Sequence, residues 1–244
     1  MRTWLPRIVA AVALAAAAAL TFAASWQRWS GACPRGAFDT DACLPLQSHE
    51  YDFQVPSDPW TPVGQAAQLY GGALLALAVA ALLLPMVLAR PRQGWWRVFA
   101  VLVAVVPAAS LALLGAVTLR SGQTGHVVSA AGAGLAFLVW CLLWPACLTA
   151  LAAAAPGSRP SRAVPVAVLV GLSTPIPALL VVGPLLSGYT SYDTAPWSDA
   201  AAAPLLLAAA VAVLFAVPAQ SSRPWSYASS ATPRESLEAG SSSG

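Results

Sequence analysis

The sequence predicts an all-α, polytopic integral membrane protein: a bundle of six transmembrane helices with one longer outer loop. Three observations carry that prediction. Charge is missing over long stretches, with no Asp, Glu, Lys, Arg or His between Asp58 and Arg90, Arg97 and Arg120, or Arg162 and Asp193, and only His126 between Arg120 and Arg159. The chain is 58% hydrophobic and 9% charged, against about 25% charged in an ordinary soluble domain. The arginines then cluster at segment ends on alternating sides. A span needs about 20 predominantly apolar residues to cross a hydrocarbon core of roughly 30 Å, and six segments qualify, at about 5–26, 65–89, 97–119, 127–152, 163–187 and 200–219.

All twelve basic residues are Arg and none is Lys, a bias that, with the abundance of Ala, points to a GC-rich bacterial genome. With the N-terminus inside, the inner side holds Arg2, Arg7, Arg90, Arg92, Arg97, Arg159, Arg162, Arg223 and Arg234. The outer side keeps Arg28, Arg35 and Arg120, with the carboxylates Asp39, Asp41, Glu50, Asp52, Asp58, Asp193 and Asp199. Arginine asymmetry sets orientation, so the expectation is a multi-pass protein of a bacterial cytoplasmic membrane with both termini cytoplasmic. The basic pI reflects these flanking arginines and not nucleic-acid binding; the implied partners are the bilayer and a membrane protein.

The first segment is bracketed by Trp4 and Trp26, which at 1.5 Å per residue lie about 33 Å apart along a helix, at the two interfaces. It also reads as a signal peptide, since Arg2 and Arg7 precede an apolar run and Ala23-Ala24-Ser25 resembles a cleavage site. Retention is the expectation, because the run is long and five more spans follow. Segments one and six are rich in Ala, which lets backbones approach closely, and are expected inside the bundle. Segments two and three carry more Leu and Val and are expected to face lipid, with Gly71-Gly72 as a small-residue packing surface.

Segment three has Pro107 near its middle, with Ser110 beside it. Trp95 and Trp96 mark its inner edge, and Tyr189, Tyr192 and Trp197 crowd the outer ends of segments five and six. In segment four Phe137, Trp140 and Trp144 recur at i, i+3, i+7. Segment five reads Ser173-Thr174-Pro175-Ile176-Pro177 close to midspan, where two prolines remove two amide donors and strand carbonyls that hydroxyls or neighbouring helices must meet. An indole N–H in hydrocarbon needs an acceptor, so Phe137, Trp140, Trp144, Ser173, Thr174, Pro175 and Pro177 form an expected intramembrane packing region or pocket. Residues 220–244 lack apolar periodicity and are expected to be a disordered, Ser-rich cytoplasmic tail.

Two groups of side chains in the outer loop, residues 27–64, bear on chemistry. Cys33 and Cys43 are expected to form a disulfide that staples the loop; a redox-active pair is the alternative, without Cys-x-x-Cys spacing. Cys141 and Cys147 lie on one helix, and small apolar packing suits them better than a thiol relay. His49, Glu50 and Asp52, with His126, are possible cation ligands, although neither the zinc-protease pattern nor EF-hand spacing is present.

No Asp, Glu, Lys, Arg or His falls within the core of any span, which argues against ion-coupled transport, proton pumping and voltage sensing. Two intramembrane histidines for a bis-His haem are missing, as are P-loop and Gly-x-Ser-x-Gly motifs. The sequence therefore favours a non-enzymatic scaffold or accessory subunit with no cofactor, binding a membrane partner or lipid. A facilitator or flippase for an apolar or uncharged substrate is the second reading, and an outer-face thiol-redox or metal-dependent enzyme the third.

Overall fold

The computed structural model describes residues 4–34, 36–88, 94–154, 163–188 and 193–215. Within them the chain is helical and no strand is found. Helix α1 spans Trp4–Trp29, α2 Ala66–Leu88, α3 Trp95–Thr124 and α4 Ala133–Ala153. These four are long and apolar enough to cross a membrane. Helices α5 (Ala163–Leu172) and α6 (Pro175–Leu185) form a fifth crossing broken by a 68° bend. Helix α7, Ala202–Phe215, is shorter within the described residues. The chain is thus a polytopic helical bundle of four to five long apolar helices plus α7. The proposed tail, the arginines at 2, 35, 90, 92, 159, 162, 223 and 234, and Tyr189 and Tyr192 lie outside the described residues.

The helices close a ring. Helix α1 packs between α2 and α7, α2 against α3, α3 against α4, α4 against α5, and α5 against α7. Leu14, Leu74, Leu111, Leu148, Val166 and Leu206, one from each helix of the ring, are fully buried in a single continuous core. Small residues set the spacing. The α2–α3 seam is the tightest: a methyl group on Gly71 would sit 2.6 Å from the Leu119 amide nitrogen, and one on Gly115 would sit 2.9 Å from the Gly71 carbonyl oxygen. One turn nearer the helix ends, Gln68 donates its side-chain amide to the Gly122 carbonyl at 2.6 Å. Close backbone approach of this kind is how helices associate where lipid removes the hydrophobic drive between them.

One expectation needs correcting. Helix α2 was expected to face lipid, yet more of it is buried (61% of its apolar window) than of α1, α3 or α4. Its glycines and alanines admit α1 on one side and α3 on the other, and this outweighs its Leu content. Segment five reads in sequence as a plain kink first and a discontinuous helix second, and the second is what forms: Thr174 is extended (φ −70°, ψ 154°) and Pro175 opens a new helix. The missing proline amide therefore falls on a helix first turn, where no donor is needed. The carbonyls left at the end of α5 are met locally: Ser173 Oγ donates to Val170 O at 2.7 Å and Thr174 Oγ1 to Gly171 O at 2.8 Å.

Pro107, by contrast, lies within the single helix α3, which ends when Gly125 takes a left-handed conformation (φ 71°). Helix α4 contains a π-helical stretch, Val139–Leu143. The wider turn brings Trp140, Cys141 and Trp144 to the core while Leu142 and Leu143 point out.

Candidate functional site

The segment joining α1 to α2 does not trail from the bundle but folds down as a cap over one end. It starts at the last turn of α1, where Ser25, Arg28 and Trp29 occupy one face at i, i+3, i+4 and are all buried. Cys33 and Cys43 are joined by a disulfide, and with Trp29 and Phe38 they make a small second core, flanked by Leu46 and Trp197. Gln47 donates to the Phe38 carbonyl at 2.8 Å beneath this staple. Two short 3-10 turns, Pro45–Gln47 and His49–Tyr51, then carry the chain across the end of the bundle.

Arg28 is the hub of the cap. Its Nε and Nη2 donate to the Leu46 carbonyl at 3.0 and 2.8 Å, and Nη2 also reaches the Ser48 carbonyl at 3.1 Å. Nη1 donates to Asp52 Oδ1 at 2.6 Å and lies 4.0 Å from Asp199 Oδ2. The guanidinium also stacks over the Trp29 ring, 4.4 Å from its centroid. A planar group with five fixed donors suits such a convergence of carbonyls and carboxylates, which a lysine ammonium does not match.

Asp199 approaches from the other end of the chain. It opens the 3-10 turn Asp199–Ala201 ahead of α7, is 1% exposed, and accepts from Ser25 Oγ at 2.6 Å and Trp29 Nε1 at 2.8 Å, both on Oδ1. Its Oδ2 has no hydrogen-bond partner beyond the more distant Arg28. Burial pushes its carboxyl above the ordinary carboxylate range, opposed by Arg28 and by the Ser25 and Trp29 hydrogen bonds. Asp52 serves the same hub from the loop: Oδ1 also accepts from Thr194 at 2.8 Å, and Oδ2 lies 2.8 Å from His49 Nδ1. The Thr194 amide donates to the Gln47 carbonyl at 3.0 Å, tying the cap to the segment before α7.

Trp197 secures the join. It is the only non-glycine with positive φ (66°) among the described residues, a conformation unfavourable for a bulky side chain. Its Nε1 donates to the Cys33 carbonyl at 3.0 Å, and its ring meets Trp26 edge-on at 5.8 Å.

Beside this cap lies a cavity of about 1230 Å³ between α1 and α7. Ala15, Ala19, Phe22 and Trp26 of α1 form one wall, Pro204 and Leu207 of α7 the other, and the cap closes its end with Phe38, Asp39 and Trp197.

The expected site residues fare differently. His49 and Asp52 come together, and His49 Nε2 lies 3.4 Å from Asp193. Glu50 is instead turned to Thr61, whose hydroxyl it accepts at 2.6 Å. His126 sits exposed in the turn after α3. Among the described residues no three His, Cys, Asp or Glu side chains converge as a metal site.

Trp140, Trp144, Thr174 and Pro175 are buried together with Ser173, Phe137 meets Trp140 edge-on at 6.0 Å, and Pro177 is half-buried. The Trp144 indole N–H is buried without the acceptor expected from the broken helix. The α1–α7 groove was not anticipated from the sequence.

The hub residues were missed because Arg28 and Asp199 read as ordinary solvated flank charges. One signal existed: Arg28, with Arg35 and Arg120, stands against the arginine bias. Comparison with family models, with curated proteins and with solved structures finds no match to this chain.

Proposed function

We propose that this chain is a non-enzymatic membrane scaffold or accessory subunit that presents its capped end to a membrane-protein partner. The observation that supports this most directly is the construction of the cap. A loop of this length, between Trp29 and Ala66, is ordinarily mobile. Here it is stapled within itself by a disulfide and tied to α1 and to the turn before α7 by a buried arginine and two carboxylates. Holding a loop in one shape lowers the ordering cost of binding another protein.

The arginine distribution orients the proposal. The capped end faces out of a bacterial cytoplasmic membrane, and both termini face the cytoplasm. Arg28, one of three arginines on the outer side, is buried as a structural ligand and does not act as a flank charge.

Affinity capture of the full chain in mild detergent tests the proposal. A stoichiometric partner is expected, retained by the native chain and lost when exposed cap residues such as Leu44 and Val55 become Asp. A chain that purifies alone, and whose cap variants change no association in cells, contradicts it.

The facilitator reading draws on a separate observation, the 68° break between α5 and α6 with π-helical turns in both α4 and α6. Broken spans line substrate sites in several transporter folds. Uptake of an uncharged solute by liposomes holding only this chain, abolished by Thr174→Leu, would favour it over the scaffold.

A further inference from the structure

The groove between α1 and α7 has an occupant that its surroundings define. Among the described residues its walls are methyl groups and aromatic rings, with Asp39 the one charged side chain, at the capped end. The same two helices continue away from the cap as an exposed apolar surface, with Ile8 (47%), Val12 (62%) and Val211 (50%) outward. In a membrane bundle that surface is covered by lipid hydrocarbon, so the groove is an inlet from the protein–lipid boundary and opens to the same medium.

Its size exceeds the roughly 300–1,000 Å³ that houses drug-sized ligands, which calls for a large apolar guest. A transmembrane helix of a partner or of a second copy fits poorly. To cross about 30 Å of hydrocarbon it would have to leave past the cap, and Phe38 and Trp197 stand in that path. A chain that enters sideways and ends beneath the cap meets no such barrier. The aromatic trio Phe22, Trp26 and Trp197, with centroids 5.9 and 5.8 Å apart in sequence, lies at that end. This is the depth at which tryptophan meets lipid headgroups.

We infer that the groove is a lipid site, holding the acyl chains of one diacyl lipid from the leaflet on the capped side, with its headgroup against the aromatic rim. The walls select for hydrocarbon chains and make no demand on headgroup charge. The site does not depend on the partner reading given above: a scaffold or a facilitator would carry it equally.

The test uses the full chain reconstituted in nanodiscs of equal parts dioleoyl phosphatidylethanolamine and dioleoyl phosphatidylglycerol. A photoreactive benzophenone side chain replaces Leu207 in the groove or, as a control, Val101 on the exposed face of α3 (58% exposed). Mass spectrometry after illumination is expected to show a single-lipid adduct at 207 at least tenfold more abundant than at 101, with either headgroup. Lipid adducts equal at the two positions, a cross-link to a second copy, or one to another segment of the same chain would each overturn the inference. In the Leu207 probe background, Ala19→Trp fills the groove from its exposed side and is expected to cut the adduct at least tenfold with an unchanged melting temperature. A folded Ala19→Trp chain that keeps its adduct overturns the inference as well. If that variant fails to fold, the comparison between 207 and 101 decides alone.

Discussion

Ser25 and Asp199, 174 residues apart in the chain, are joined by a hydrogen bond of 2.6 Å buried at the capped end of the bundle. The contact makes the first helix a structural partner of the last. It also places a carboxylate where only its own hydrogen bonds and Arg28 offset the cost of burial. Asp199→Ala removes that carboxylate, leaves Ser25 and Trp29 without their acceptor, and takes from Arg28 the more distant of its two carboxylates. A loss of about 3–5 kcal/mol is expected, the range for breaking a buried charged pair from one side. Ser25→Ala should cost less, about 1–3 kcal/mol. Reversible unfolding in mixed detergent micelles measures both, and an Asp199→Ala chain as stable as the native one would mean that the hub is not structural.

The same contact bears on processing of the N-terminus. A cleavage after Ala24 would free Ser25, Arg28 and Trp29 from a continuous helix and remove Ala10, Leu14 and Ala17 from the core. The mature protein is therefore expected to retain α1. Intact-mass measurement of chain purified from membranes checks this, and a species beginning at Ser25 or Trp26 contradicts it.

The disulfide is expected to be structural. Cys33 and Cys43 are both fully buried beneath Trp29 and Phe38, and thiol–disulfide exchange requires that an attacking thiolate reach a sulfur. Under a mild reductant that opens exposed disulfides, thiol trapping should find this pair oxidised until the cap unfolds. Trp29→Ala should make it reducible under the same conditions. Partial reduction in the native chain of growing cells would instead favour the redox reading.

Gly71→Leu tests the seam between α2 and α3. The Gly115 carbonyl and the Leu119 amide leave no room for even a methyl group, at 2.8 and 2.6 Å, so backbones must separate. Gly71→Ala is expected to cost about 1–3 kcal/mol, the usual range for overpacking, and Gly71→Leu more. Gly72→Ala, one position along, meets only the tip of Leu20 at 3.5 Å and should be nearly neutral. Equal effects at the two positions would remove the close approach from the account.

What the sequence made legible follows from what hydrocarbon demands. Long uncharged runs announce apolar helices, because an unpaired charge in lipid is expensive, and this carried the fold class. The pairing of Cys33 with Cys43 was readable from compartment and spacing. Helix facing was not: α2 is rich in Leu yet lies between two neighbours, since Gly71 and its alanines admit close contact, and composition does not say which neighbour arrives. The break at Thr174 was visible through its prolines, but the 68° bend was not, because prolines mark where a helix stops and not where the next one points. The hub was hidden for a further reason. Arg28 and Asp199 differ from flank charges only in their buried partners, and those of Asp199 lie 170 and 174 residues away.

The bundle is expected to lie in hydrocarbon with its cap on the outer side of the membrane. Labelling of intact cells by a membrane-impermeant maleimide measures this directly, using Ser57→Cys in the cap and Ser242→Cys near the C-terminus in a background lacking Cys141 and Cys147. The expected result is rapid labelling at 57 in intact cells and at 242 only after the membrane is opened. Labelling at 242 but not at 57 in intact cells, or recovery of the chain in the soluble fraction, would contradict it.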